Sequence, residues 1–101
     1  MTSAMLGPDD IHRQMANLPG WTHESKALTR QLVFKDFREA IAFLNLIAFD
    51  AEEADHHPDV TINYKRLNLS LSTHSAGGVT AKDFALAAKI HARYESTRWG
   101  G

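Results

Sequence analysis

The sequence predicts an α+β domain in which a four-stranded antiparallel sheet packs against helices on one face. Three observations predict it. Two pairs of short alternating segments read as hairpins, three stretches carry a three- and four-residue apolar repeat, and their order is helix-strand-strand-helix-strand-strand-helix. Two hairpins with helices between and around them favour an antiparallel sheet with its helices segregated to one side. At 101 residues the chain is one domain in size. Residues 1–8 read as a flexible N-terminal arm and residues 9–101 as a single domain, with no Pro/Gly linker, repeat or low-complexity tract.

Taken in order, Asp9 or Asp10 caps a short first helix to about Asn17, with Ile11, Met15 and Leu18 on one face. Pro19-Gly20 stops it. Trp21 opens a strand, Glu24-Ser25-Lys26 turns, and Leu28 to Phe34 returns with Leu28, Arg30, Leu32 and Phe34 on one parity. Asp36-Phe37-Arg38-Glu39 has the form of a capping box. The helix it opens runs to about Asp55, with a stripe of Phe37, Ala40, Ile41, Leu44, Ile47, Ala48 and Ala51. Pro58 disfavours helical geometry at His57 and ends it. Val60 to Tyr64 and Leu67 to Thr73 both alternate apolar with polar, as a sheet with one wet face requires. Only Lys65-Arg66 separates them, a tight hairpin although neither residue favours positive φ. Thr80-Ala81-Lys82-Asp83 is a second capping box. It opens a last helix to about Trp99, with Phe84, Ala87, Ala88, His91 and Tyr94 as its stripe. So small a sheet has edges that need cover, which predicts a homo-oligomer.

Composition excludes several classes of function. There is no cysteine, so neither a disulfide framework nor thiolate chemistry is available. Lys+Arg 11 against Asp+Glu 12 gives a net charge of -1, no footprint for nucleic acid. No apolar run approaches the ~20 residues of a membrane helix, and Met1 to Asp10 lacks the features of a signal peptide. The expected location is cytoplasmic.

Six histidines are the unusual item. Histidine changes charge near neutral pH and suits proton transfer. The segment Ala51-Glu52-Glu53-Ala54-Asp55-His56-His57-Pro58-Asp59 breaks a local rule. Asp50, Glu52, Glu53 and Asp55 crowd a helix C-terminus, where the dipole disfavours negative charge. Such violations concentrate at functional or strained sites. Glu52 and His56 stand four apart and can share a helix face. His74 ends the fourth strand beside Gly77-Gly78 and can approach the His56-His57 corner if the sheet folds as a meander. His12, His23 and His91 read as surface or satisfied residues. Asp83 has a structural role available in its capping box, and Thr80 reads as a cap and nothing more. Three histidines with a carboxylate are also a conceivable zinc or iron set. Adjacent histidines, however, serve one helical metal face poorly, so the expectation is no metal.

Three ordered segments carry a resemblance: Ala51-Glu52-x-x-Asp55-His56-His57-Pro58, Leu71-Ser72-Thr73-His74 and Gly78-Val79-Thr80-x-x-Asp83, preceded by Leu18-Pro19-Gly20-Trp21. Together they resemble the pterin-4a-carbinolamine dehydratase family over about residues 9–95. The resemblance implies a four-stranded antiparallel sheet against helices, assembled into dimers or tetramers. It implies dehydration of a 4a-hydroxytetrahydropterin to the quinonoid dihydropterin, beside an aromatic amino acid hydroxylase. The chemistry so implied needs no redox cofactor. His56, His57 and His74 fall on the family's three functional histidines, and Glu52 and Asp83 on two acidic positions. The implied roles are proton transfer for His56 and His74, and holding the pterin or assisting the leaving hydroxyl for His57. Glu52 would orient His56 or bind the amino-pyrimidinone edge, and Asp83 would orient His74 or only cap. Lys65 departs from the pattern, which has asparagine in that turn. The competing reading is a non-catalytic module that binds a transcription factor or other protein, a role family members also serve.

Overall fold

Alternation and capping set the elements that the chain adopts. In the computed structural model, which describes residues 4–96, these are α1 (Pro8–Met15), β1 (Thr22–Glu24), β2 (Ala27–Val33), α2 (Phe37–Ala54), β3 (Asp59–Asn63), β4 (Arg66–Leu71), a 3-10 turn (His74–Ala76) and α3 (Ala81–Ser96). The strands form one antiparallel sheet in the order β1-β2-β4-β3. The architecture is the predicted α+β arrangement, but the strand order is not the expected meander: β4, not β3, lies beside β2, and β3 takes the edge. The expected extension of the last helix over Thr97 to Trp99 lies outside the described residues, as do residues 1–3 of the arm.

Boundaries differ where local chemistry allowed two solutions. Gly7, not Asp9 or Asp10, caps α1, and Pro8 opens it. A proline costs nothing there because its missing N–H would be unpaired in any case. The two aspartates lie in the first turn, where the dipole favours them. Trp21 is buried ahead of β1. The first hairpin turns on Ser25 and Lys26, at φ 50 and 64. The second turns on Tyr64 and Lys65, one residue earlier than predicted, with Tyr64 taking φ 55. At Asp36 the side chain accepts from Glu39 N–H at 2.8 Å, but Glu39 returns its bond to the N–H of Lys35, not of Asp36.

Leu28, Leu32 and Phe34 with Leu67, Leu69 and Leu71 form the buried face of the sheet. On α2 the buried face runs through Ala40, Phe43, Ile47, Asp50 and Ala51. Phe37 and Ala48, expected inside, are exposed. On α3 it is Leu86 and Ile90 that join Phe84 and Ala87, and Ala88 faces out. Phe34, Phe43 and Tyr94 pack with ring centroids 5.3 to 5.8 Å apart, Tyr94 edge-to-face with both phenylalanines, sealing the sheet to both helices.

The crowded acids at the end of α2 acquire partners across the helix pair. Arg93 donates from Nε and Nη2 to Asp50 at 2.5 and 3.0 Å. Lys89 lies 3.5 Å from Glu53. The Arg93 guanidinium holds the Asp50 carboxyl below its ordinary range, against the opposing effect of burial. A lowered folded-state pKa stabilises above the unfolded value, and that contribution is lost as pH falls through the folded one. Arg93→Ala is expected to destabilise the fold at neutral pH, because it strands the buried Asp50 carboxylate. Urea melts should show the gap from wild type closing as pH drops below the ordinary carboxyl range.

Candidate active site

Asp55 decides how the two histidines diverge. It ends α2 in the left-handed region, φ 51 and ψ 42, and its N–H donates to Ala51 O and Glu52 O. The N–H of His56 then donates to Ala51 O at 3.0 Å. The chain leaves the helix before residue 56, so the four-residue spacing from Glu52 no longer places His56 above it. His56 turns inward, with Nε2 2.5 Å from Asp83 Oδ1. His57 stays exposed, with Nε2 2.5 Å from Glu52 Oε2. The expected pairings of Glu52 with His56 and of Asp83 with His74 are thus replaced: Glu52 meets His57, and Asp83 meets His56.

Asp83 is fully buried and its second oxygen is saturated. Oδ2 accepts from the Thr80 backbone N–H and from the Thr73 hydroxyl, both at 2.9 Å. The Thr73 proton being used, the Thr80 hydroxyl donates to Thr73 Oγ1 at 2.8 Å and accepts from Lys82 N–H at 3.2 Å. Thr80 is therefore more than a cap: it closes a four-membered network of Thr73, Thr80, Asp83 and His56. The signal for Thr73 lay in strand parity. It follows Leu67, Leu69 and Leu71 onto the inner face, and a buried hydroxyl needs a partner.

His74 begins the 3-10 turn, exposed and without a side-chain partner among the described residues. It lines a hollow of about 250 Å³ with Ser25, Lys26, Ser72, Gly77 and Gly78. His57 and Glu52 border a different groove of about 410 Å³, floored by Leu44, Ala48 and Val60 between α2 and β3. The structure therefore joins His56 to Asp83 and His57 to Glu52. It links His74 to them through the backbone at Thr73, not by a side-chain bond. Among the described residues, no three His, Asp or Glu side chains gather as a set that could hold a metal ion.

The family model described as pterin 4 alpha carbinolamine dehydratase matches residues 4–93. A Thermomicrobium roseum protein provisionally named a pterin-4-alpha-carbinolamine dehydratase is 52% identical over 87 residues, 86% of this chain and 94% of the relative. A Sulfolobus acidocaldarius protein of the same provisional name is 45% identical over 86 residues, 85% of this chain and 94% of the relative. The crystal structure of a Brucella melitensis protein described as a transcriptional coactivator/pterin dehydratase superposes with a TM-score of 0.83 at 37% identity, covering 86% of this chain and 95% of that one. A pterin dehydratase-like protein described as a RuBisCO assembly factor in the alpha-carboxysome gives 0.62 at 25% identity, over 72% and 87%. Matched from residue 4 to residue 93, and along most of the length of these relatives, the chain belongs to the pterin 4 alpha carbinolamine dehydratase family.

Proposed function

We propose that this protein removes water from a 4a-hydroxytetrahydropterin by histidine general acid/base catalysis, giving the quinonoid dihydropterin. The observation that carries the reading is the buried Asp83 carboxylate, fixed by Thr73 and Thr80 and aimed at His56 Nε2. A carboxylate that accepts from Nε2–H sets the tautomer, leaves Nδ1 as the basic nitrogen and stabilises the imidazolium formed when that nitrogen takes a proton. Dehydration needs two proton events. His56 takes the proton from ring nitrogen N5, whose electrons expel the hydroxyl from carbon C4a. His74 gives a proton to that hydroxyl, which departs as water. The step moves no electrons to or from the protein and requires no cofactor. His57, held by Glu52, contacts the pterin from the exposed side. The substrate would come from an aromatic amino acid hydroxylase.

The expected assembly is a homodimer or homotetramer in the cytoplasm. Supporting it are the edge strand β3 and the exposed apolar side chains Phe37, Leu46 and Phe49, the last 68% exposed. No helix among the described residues is long and apolar enough to cross a membrane. Sedimentation velocity is expected to return a species of at least twice the chain mass of 11.3 kDa.

The test of activity is decay of 4a-hydroxytetrahydropterin absorbance with purified, chelator-treated protein, read against the spontaneous rate. Acceleration supports the dehydratase. A folded protein that gives none favours the second reading, a protein-binding module, which the descriptions of the two structural neighbours as coactivator and assembly factor suggest.

A further inference from the structure

We infer that the substrate's ring substituent is itself recognised, in a cleft neighbouring the His74 hollow, and that it is an apolar group ending in a carboxylate. This rests on the dehydratase reading, with the pterin ring against His74.

Two neighbouring depressions share Lys26 and Gly78 in their walls. One is the His74 hollow. The other is a cleft of about 460 Å³ beside α1, within the size range of small-molecule pockets. Its wall is largely apolar, with Met5, Ile11, Met15 and Val79 contributing. The N-terminal segment is tied down by a bond from Leu6 N–H to Val79 O at 2.9 Å. On the shared wall Gly78 has no side chain, and Met5 lies over it. A Cβ built there would stand 2.7 Å from Met5 Sδ.

The ionisable groups on the cleft wall are His12, His23 and Lys26. All can carry positive charge and none is acidic, in a chain whose net charge is -1. Lys26 makes no hydrogen bond or ion pair among the described residues, unlike Arg13, Lys89 and Arg93. It is also held at φ 64, where glycine would be less strained. An unpaired cation in an unfavourable backbone state, on the wall shared by the His74 hollow and an apolar cleft, suits a substituent whose body is buried and whose end is anionic. A carboxylate there would meet Lys26, with the two histidines near it.

Dihydrofolate, with its aryl-glutamate substituent, and a dihydropterin bearing only a methyl group are the probes, measured by calorimetry on the full chain. Wild type is expected to bind dihydrofolate about tenfold more tightly, from apolar burial plus one charge contact. Lys26→Gly removes the cation at a position glycine tolerates, so the protein keeps its fold. It is expected to lower that preference about threefold. Lys35→Glu, a charge reversal elsewhere, should leave the preference as it was. Equal affinities in wild type, or a preference indifferent to Lys26→Gly, would overturn the inference while leaving the dehydratase reading intact. Failure to bind either pterin would overturn both.

Discussion

His74→Ala is expected to lower dehydratase turnover by about 10²–10⁴, the usual range for a positioned proton-transfer group. The loss should appear without a matching loss of stability. His74 is exposed, its imidazole has no partner among the described residues, and what the local fold takes from it is its backbone carbonyl, which accepts from Gly77 N–H at 3.1 Å. Alanine keeps that carbonyl. His91→Gln, on α3 beside Glu95, is the comparison, because it also removes an imidazole but from outside both hollows. Steady-state decay of the 4a-hydroxy substrate measures the contrast, and thermal melts confirm the fold. Equal rates in the two variants would remove His74 from the chemistry.

What the sequence disclosed and what it hid divide along the reach of local rules. The alternation of Leu67, Leu69 and Leu71 fixes which side of β4 faces the helices, since successive strand residues point oppositely. The caps at Asp36 and Thr80 place two helix starts to within a residue. The tight turn at Tyr64-Lys65 was displaced by one because no glycine or asparagine marks the positive φ. On α2, large apolar residues occur nearly all round, Leu46 and Phe49 included, so periodicity could not single out Phe43 as the buried one. The site follows the same division. The histidines and acids were legible as a set, but their pairing was not. Asp83 is 27 residues from His56, and Arg93 is 43 from Asp50. Those bonds depend on how α3 lies against the end of α2. A single left-handed residue, Asp55, sends His56 toward one carboxylate and His57 toward another.

Asp83→Asn tests that pairing without removing a ring. The Thr80 N–H and the Thr73 hydroxyl both donate to Oδ2, so the amide of the variant keeps its oxygen there. Its nitrogen then falls at the Oδ1 position, 2.5 Å from His56 Nε2 in the wild type. An amide nitrogen can only donate, so Nε2 must accept and the imidazole proton moves to Nδ1. The nitrogen proposed as the base is then already protonated. Turnover is expected to fall by about 10²-fold or more, as a general base held in the wrong tautomer loses most of its contribution. Stability should change by less than about 2 kcal/mol, since every bond in the network persists and a buried charge is removed. Nitrogen NMR of labelled histidine reads the tautomer directly. A variant whose His56 keeps its proton on Nε2, or one that turns over at the wild-type rate with the proton on Nδ1, would show that Asp83 holds the fold and not the base.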